Sequence, residues 1–307
     1  MVAALQRLTA PDGALEDRFG DEVALDGDTA AVGAPNDDVG GLQNRGSVYI
    51  FSRIGSMWTF QTTIAPADPK ANERFGQSVA LQGITLVVGT AESTGNVSGH
   101  GSAYVFVGSG PAWVQQQKLT SIGLTTFGGF GAAVAIDGST IVVGAPRESG
   151  RSNGTQGAAH VFVRNGTTWT LQQRLFADDG VDQDGFGNAV AIRSDRAVIG
   201  AQFSTVGGAT SRGSVYIFQR STLNFTWSLE QKVVANDGAA DDSFGFDVSM
   251  DATRILVGAP GAKLNGIFRG AAYILSRSGL RSGAGGPSNE ILVLVNRAVR
   301  RISRIHS

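Results

Sequence analysis

The chain has no cysteine among its 307 residues, and it has only three histidines and three methionines. The lack of cysteine excludes disulfides and sites in which thiolates bind a metal. A reducing cytosol and a secreted protein without disulfides both fit this composition, so it does not decide the compartment.

Charge of one sign is also lacking, because the formal net charge is only −1. Nucleic acids and anionic lipids attract basic surfaces, so we expect no nucleic-acid partner. No apolar run approaches the roughly 20 residues of a membrane span, so we expect no transmembrane segment. No signal peptide is visible at Met1. Since the chain starts almost inside a repeat, we expect it to be a piece of a longer protein.

Proline is scarce, with 8 residues, whereas glycine is abundant, with 43 residues. That is about twice the average share of glycine, roughly 7%. Much glycine with little proline is typical of many tight turns, and an apolar content of 42% suffices to build a core.

A Phe-Gly pair recurs through the chain at intervals of 55 to 58 residues. Its phenylalanines are Phe19, Phe75, Phe130, Phe186 and Phe244. A "VGAP"-like phrase follows each pair, and its glycine always stands 14 residues after the phenylalanine. These glycines are Gly33, Gly89, Gly144, Gly200 and Gly258. A period of this size predicts a propeller or a solenoid.

Each repeat contains four short segments typical of β-strands. In the first repeat they are "EVAL", "TAAVGAP", "GSVYIF" and "WTFQTTI", separated by glycine-bearing turns. Valine, isoleucine, tyrosine and phenylalanine favour strands, and no helical period is sustained in residues 1–278. We therefore predict an all-β fold of four-stranded antiparallel blades, which is a β-propeller.

Phe-Gly followed by Gly-Ala-Pro resembles the FG-GAP repeat, the blade unit of the integrin α-subunit head. The phrase "RFGDEVALDGDTAAVGAPN" is most similar to the variant found in bacterial and algal surface proteins. The resemblance covers residues 1 to about 278. The full phrase stands at Gly33, Gly144 and Gly258, and it decays at Gly89-Thr90-Ala91 and Gly200-Ala201-Gln202.

Two departures limit what the resemblance implies. Integrin-type repeats carry a calcium loop between the first and second strands, but here that connection is a tight turn such as Asp26-Gly27-Asp28. One or two carboxylates do not supply the 6–8 oxygens that calcium takes, so we expect no cofactor. Integrin heads also have seven blades, whereas this chain shows five Phe-Gly starts.

The N-terminus offers an explanation for five blades. Val2–Leu8 aligns with the fourth strand of a repeat. The last repeat, in contrast, is not followed by a segment with the fourth-strand pattern. We predict that this N-terminal strand completes the last blade and closes the propeller, because closure removes open edges. The alternative is a piece of a longer array of repeats.

The C-terminal residues depart from the repeat, so we divide the chain into a propeller, 1–278, and a tail, 279–307. The tail begins as a linker by composition. It then places Leu292, Val295, Val299 and Ile302 at heptad-like spacing among arginines. Such a basic amphipathic helix lies on a membrane or a partner. A terminus without a role is the alternative.

One face of the blades carries the long connections. The turns between first and second strands and between third and fourth strands are short, whereas the other connections are long and polar. Since loops on a rigid scaffold carry function, we expect the ligand-binding face there. The candidate residues are Asp37, Asp38, Arg147, Glu148, Asp179, Asp182, Asp184, Asp237, Asp241 and Asp242.

The acidic loops allow two interpretations. "DDGVDQDG", which begins at Asp178, superficially resembles a calcium loop, but it lacks the bidentate glutamate at the twelfth position. Short polar side chains also cap turns and keep loops soluble. Four tryptophans at equivalent positions are either a platform for sugars or repeated packing. They are Trp58, Trp113, Trp169 and Trp227.

No catalytic constellation is visible, and we expect no enzyme. The three histidines His100, His160 and His306 form no Ser-His-Asp or metal-binding pattern. We predict a monomeric, non-catalytic binding or adhesion module of an extracellular or cell-surface protein that recognises a protein or a glycan. The alternative is a structural spacer within a larger surface protein.

Overall fold

The computed structural model describes residues 5–90, 100–122, 128–150, 154–276, 291–294 and 304–305. In these residues the chain forms strands, turns and bends, and it contains no helix. The described part of the chain therefore has no helix long and apolar enough to cross a membrane. The predicted all-β fold is confirmed.

The strands form five four-stranded antiparallel sheets. The first contains β1 Glu22–Asp26, β2 Thr29–Ala34, β3 Ser47–Ile54 and β4 Met57–Ile64. The second contains β5 Ser78–Gln82, β6 Thr85–Thr90, β7 Ser102–Ser109 and β8 Ala112–Leu119. The third contains β9 Ala133–Asp137, β10 Thr140–Ala145, β11 Ala158–Asn165 and β12 Thr168–Leu175.

The last two sheets follow the same plan. The fourth contains β13 Phe186–Arg193, β14 Arg196–Ala201, β15 Ser214–Arg220 and β16 Trp227–Val233. The fifth contains β17 Val248–Met250, β18 Arg254–Ala259, β21 Ala271–Ser276 and β22 Ile291–Leu294. A separate hairpin of β19 Lys263–Leu264 and β20 Ile267–Phe268 lies in the connection between its second and third strands. Such sheets are the blades from which β-propellers are built.

Among the twenty strands that form these blades, the order within every sheet follows the chain, so the connections alternate between the two ends of the strands. At one edge of the first sheet, two-residue turns occur at 27–28 and 55–56. At the other edge, residues 35–46 join the second strand to the third, and residues 65–77 lead to the second sheet. The long connections of every sheet lie at this same end of the strands, and we call that end the long-loop edge.

The chain divides into two compact units, and the division passes through the third sheet. One unit comprises Met1–Val143, Phe162–Thr170 and Ser303–Ser307, and the other comprises Gly144–Val161 and Leu171–Ile302. Within each unit, neighbouring sheets bury apolar faces against one another, because alternate residues of a strand share a face. In the first unit, Ala31 and Ile50 of the first sheet pack in one core with Phe75 and Val79 of the second.

The glycines of the repeat allow the sheets to approach. A Cβ on Gly33 would collide with the carbonyl oxygen of Gly76, the Phe-Gly glycine of the next sheet. Gly76 has a φ of +91°, which side chains rarely adopt. The same collision would occur between Gly89 and Gly131, Gly144 and Gly187, and Gly200 and Gly245. The recurring Phe-Gly and Gly-Ala-Pro phrases thus meet across each of these junctions.

The predicted N-terminal closing strand is wrong for the fifth sheet. Its third strand β21 pairs antiparallel with β22, an apolar segment that follows later in the chain. Leu5–Leu8 lies outside any strand, and residues 2–4 lie outside the described residues. Gln6 nevertheless bonds to the backbone of Trp58, as Gln117 and Gln173 bond to later tryptophans, so the alignment with fourth strands is confirmed.

The tail also differs from the expected helix where it is described. Leu292 lies in strand β22, and residues 304–305 form β23, Arg304–Ile305, which pairs parallel with β1. The branched apolar run "ILVL" favours a strand over a helix. Val295, Val299 and Ile302 lie outside the described residues.

We predict that Gly200→Ala lowers the free energy of unfolding by about 1–3 kcal/mol, as overpacking does. Its added methyl group would collide with the backbone of Gly245. The matched control is Gly258→Ala, since the nearest atom to a Cβ there lies 3.8 Å away. The control should change stability by less than about 0.5 kcal/mol in urea unfolding. Equal losses in both variants would contradict the steric role of the junction glycines.

Candidate functional site

A buried tyrosine recurs in the third strand, at Tyr49, Tyr104, Tyr216 and Tyr273. The phenylalanine of the Phe-Gly pair packs edge-on against each tyrosine, with ring centroids 5.2–5.6 Å apart. The hydroxyl groups bond to side chains of the long-loop edge. Each tyrosine therefore links the sheet to its loops.

Two acidic residues, five positions apart, stand in the loop that leads into each of these four sheets. The second acid is buried and accepts a hydrogen bond from the backbone N–H three residues earlier, at 2.5–3.2 Å. It thereby caps the turn of its loop. The pairs are Asp12 and Asp17, Asp68 and Glu73, Asp179 and Asp184, and Asp237 and Asp242.

The first acid of each pair accepts a hydrogen bond from the tyrosine hydroxyl. The oxygen–oxygen distances are 2.9–3.1 Å at Asp12, Asp68, Asp179 and Asp237. In the second sheet the hydroxyl of Tyr104 lies closer, at 2.6 Å, to Oε1 of Glu73, the second acid of its pair. Burial first, and then the bonds and charges of the carboxylates, raise the pKa of all four tyrosines far above the usual value. The tyrosines thus stay neutral donors that anchor the loops.

A lysine completes the cluster in the second and fourth sheets. Lys118 and Lys232, each next to last in its fourth strand, place Nζ 2.6 Å from Asp68 Oδ2 and Asp179 Oδ2. Their ammonium groups also lie 4.9 and 5.1 Å from the centroids of the tyrosine rings. Burial is the largest single influence and opposes ionisation of these two aspartates, but the hydrogen bond and charge of the lysine, together with the tyrosine and backbone hydrogen bonds, outweigh it and lower the pKa of each.

The third sheet replaces every member of this cluster. Its incoming loop, residues 120–132, contains no acidic residue, and His160 stands where the other sheets have tyrosine. His160 Nε2 lies 2.8 Å from Glu148 Oε2, and Arg174, at the place of the lysines, donates to Glu148 Oε1. The carboxylate is thus supplied by the loop between the second and third strands instead.

Asp37 in the first sheet occupies the same position as Glu148, four residues after the Gly-Ala-Pro glycine. The hydroxyl oxygen of Tyr49 lies 2.9 Å from both Asp12 Oδ1 and Asp37 Oδ2. Both loops of the long-loop edge therefore converge on one tyrosine in this sheet.

Six of the ten candidate residues hold loops to sheets or cap a loop turn. Asp37, Glu148, Asp179 and Asp237 bond to the third-strand residue, and Asp184 and Asp242 cap turns. The other four are exposed at the long-loop edge: Asp38, Arg147, Asp182 and Asp241. Of these four, Asp182 also accepts hydrogen bonds from Thr155 and Asp38 accepts one from the Asn44 N–H, so exposed carboxylates contribute to loop structure as well.

The segment "DDGVDQDG" uses its carboxylates within the protein. Asp179 bonds to Tyr216 and Lys232, Asp184 bonds to the Val181 N–H, and Asp182 bonds to Thr155 Oγ1 at 2.7 Å. Among the described residues, no group of three or more histidines, cysteines or acids could hold a metal ion. The geometry is that of capped turns.

Sequence reasoning missed two features of the long-loop edge. The anchoring role of the tyrosines was missed. The sequence did contain a signal, because the one repeat without the acid pair is also the one in which the tyrosine is replaced, by His160. The exposed apolar side chains were also missed, because isolated apolar residues within loops carry no periodic signal. These side chains include Leu15, Val181, Phe203, Ile267 and Phe268.

The tryptophans pack between sheets. Gln117 bonds through its side chain to both the N–H and the carbonyl of Trp169, and Gln173 does the same for Trp227. The two indole N–H groups donate to Gln116 and Gln172, and both rings are buried. This arrangement favours the packing interpretation over a sugar platform.

We predict that Glu148→Ala lowers the free energy of unfolding by about 3 kcal/mol, because it removes the buried acceptor of His160 and Arg174. The neighbouring exposed Arg147→Ala is the matched control, with a change of less than about 0.5 kcal/mol. Denaturant unfolding measures both. A Glu148→Ala variant as stable as the control would contradict the anchoring role of Glu148.

A pH test follows from Asp184, because burial raises its pKa above the ordinary 3.8. Such a group favours the protonated form in the folded state, so stability is lost as the pH rises from 3.8 through the folded pKa. Asp184→Asn retains an acceptor for Val181 and should abolish this loss. Urea midpoints measured across that pH range test it, and an unchanged pH slope would refute it.

Asp179 provides a comparison of opposite sign. Its pKa lies below 3.8, so its stabilising effect is present above that pH and is lost as the pH falls through the folded pKa. Asp179→Asn should therefore destabilise the protein more at neutral pH than in acid. The same urea midpoints should show the two variants diverging, and parallel curves would contradict the assignment.

Comparison with protein families identifies the repeats. The model described as FG-GAP repeat matches residues 3–51, 58–106, 113–162, 169–218 and 227–275. The last four matches each run from the start of a fourth strand to the third strand of the next sheet, and the first match ends in the third strand of the first sheet. A comparison with curated protein sequences found no match. Because the matches cover most of the chain and coincide with five propeller blades, the protein belongs to the FG-GAP repeat family.

Proposed function

We propose that this FG-GAP module is a non-catalytic binding module of an extracellular or cell-surface protein. Its ligand is a protein, bound at the long-loop edge of the second unit. The observation that carries the proposal is a set of exposed apolar side chains at this edge, together with incoming loops whose carboxylates anchor them to the sheets.

The scaffold favours recognition because the loops are held in place before a ligand arrives. Asp179 and Asp237 tie two incoming loops to Tyr216 and Tyr273, and Asp182 joins one of these loops to Thr155 of the preceding sheet. Loops that are already ordered lose less conformational entropy on binding. The anchored edge therefore suits a specific partner.

The exposed chemistry favours a protein over a glycan. In the second unit, the exposed fractions are 55% for Val181, 51% for Phe203, 57% for Ile267 and 65% for Phe268. All four stand on connections of the long-loop edge, and exposed apolar side chains that lie together mark sites of protein interaction. Aromatic residues are enriched in the cores of such interfaces.

Charged residues accompany these apolar side chains. Lys263 Nζ lies 4.5 Å from the centroid of the Phe268 ring, and Arg147, Asp182 and Asp241 are exposed at the same edge. Interfaces typically combine an apolar centre with a polar rim. Charges of both signs would set the orientation of a protein partner.

Two further features support a binding role without chemistry. His160 and Glu148 are buried with each other and with Arg174, so they serve the fold. The resemblance to integrin α heads and to bacterial and algal surface proteins supports the extracellular or cell-surface location. Fold alone does not define function, so the argument depends on the loop surface.

The test is a screen of the protein on an array of glycans and extracellular matrix proteins, in calcium and again in chelator. We expect a protein hit that survives chelation and is weakened about tenfold or more by Phe203→Ala/Phe268→Ala, as for hot-spot aromatics. The control is Leu223→Ala/Phe225→Ala, which removes two exposed apolar side chains from the opposite edge of the fourth sheet.

Three outcomes would count against the proposal. Equal binding by both variants would show that the ligand does not bind through the apolar side chains of the long-loop edge. A hit confined to glycans would show that the ligand is a glycan and not a protein. Failure of the folded protein to bind any probe would favour the spacer function.

A further inference from the structure

The turn between the third and fourth strands of the fourth sheet differs from its equivalents. In each of the first three sheets this turn has two residues, at 55–56, 110–111 and 166–167. In the fourth sheet it has six, residues 221–226, with the sequence "STLNFT". We call residues 221–226 the turn insertion. The fourth sheet therefore carries extra chain at the edge opposite its long-loop edge.

The turn insertion is closed by its own hydrogen bonds. The Ser221 N–H donates to the carbonyl of Thr226 at 2.8 Å, and the Phe225 N–H donates to the carbonyl of Ser221 at 3.0 Å. The residue that follows, Trp227, is buried, and its N–H donates to Gln173 Oε1 at 2.8 Å. The insertion is therefore an ordered loop that joins directly to the packed part of the sheet.

Asn224, Phe225 and Thr226 form an Asn-x-Thr sequence, which is the acceptor sequence for N-linked glycans. Thr226 Oγ1 donates to Asn224 Oδ1 at 2.8 Å, and the Thr226 N–H donates to the same oxygen at 3.3 Å. Asn224 is exposed, and its Nδ2 has no hydrogen-bond partner in the part of the chain that the structure describes. The threonine thus holds the amide oxygen and leaves the amide nitrogen, to which a sugar is attached, without a partner.

Two exposed apolar side chains flank Asn224 in the chain. Leu223 is 93% exposed and Phe225 is 60% exposed, so the described fold gives neither side chain a packing role. Apolar surface is unfavourable in water. An aromatic ring has a partially negative face, against which the C–H groups of a sugar ring can pack. A sugar on Asn224 would therefore have apolar side chains on both sides to cover.

The third sheet carries a second acceptor sequence for comparison, Asn165-Gly166-Thr167. It includes both residues of a two-residue turn, and no large apolar side chain adjoins it in the chain. Two further acceptor sequences begin at Asn96 and Asn153, which lie outside the described residues. Among the described residues, the loop length, the threonine bond and the apolar neighbours coincide at Asn224.

We propose that Asn224 is a site of N-linked glycosylation and that the first sugar covers Leu223 and Phe225. An oligosaccharyltransferase joins Asn224 Nδ2 to the anomeric carbon of an oligosaccharide carried on a lipid pyrophosphate. The bond between that carbon and the pyrophosphate breaks, the pyrophosphate leaves with the electron pair, and one Nδ2 proton passes to a base of the enzyme. The inference rests on the proposed extracellular or cell-surface location but not on the proposed ligand.

The position of Asn224 leaves the proposed ligand surface open. Strand β15, which leads from the long-loop edge to the turn insertion, has seven residues. Since a strand rises about 3.3 Å per residue, the glycan starts roughly 20 Å from the long-loop edge of its sheet. Glycosylation and ligand binding therefore use opposite edges of the fourth sheet.

The test secretes the full chain, behind an added signal peptide, from cultured animal cells. Peptide N-glycosidase in heavy-oxygen water converts each glycosylated asparagine to labelled aspartate, and mass spectrometry of peptides then reads each acceptor sequence separately. We expect label at Asn224 in the wild type and in Thr226→Ser. We expect none there in Thr226→Val, which keeps the shape of threonine but lacks its hydroxyl. A secreted, folded wild type without label at Asn224, or equal label in Thr226→Val, overturns the proposal.

The covering of the apolar side chains has its own measurement. Removal of the glycans should increase retention on a hydrophobic-interaction column at least twofold more for the wild type than for Leu223→Ala/Phe225→Ala. Equal increases would overturn the covering, because sugars on other sites contribute alike to both proteins. Asn224→Gln should bind a protein ligand from the array as tightly as the wild type does. Failure of the ligand proposal and failure of the glycosylation proposal are therefore seen separately.

Discussion

The close approach of two glycine backbones is the constraint on which the remaining structure depends. Gly33 and Gly76, and the pairs equivalent to them, leave no room for a side chain between neighbouring sheets. Apolar faces on either side then become buried at the same spacing, and the Phe-Gly phenylalanine packs on the third-strand tyrosine. One steric requirement therefore explains why both phrases recur, and why the distance between them is constant while the loops vary in length.

Most of the acidic side chains in the loops form hydrogen bonds within the protein and hold the loops to the sheets. A buried hydroxyl in each of four sheets binds an acid from the incoming loop, and a second acid caps the turn of the same loop. The third sheet exchanges all the partners together, with His160, Glu148 and Arg174 replacing tyrosine, aspartate and lysine. An unpartnered buried polar group is costly, so loss of the loop acids requires a new acceptor elsewhere. With most carboxylates so engaged, recognition at the long-loop edge depends more on its exposed apolar side chains.

The sequence alone determined the all-β class, the five blades and the long-loop edge, because strand alternation, turn glycines and a fixed period are local properties. It also placed Gln6 correctly through alignment with fourth strands. Tertiary structure decided which acids face inward, since Asp237 and Asp241 differ in role only through the position of Tyr273. It also decided the last strand of the fifth sheet, because the sequence patterns of β22 and of the N-terminal segment both suit a strand and do not rank them. Partners distant in sequence, such as Glu148 and Arg174, meet only after the sheet has formed.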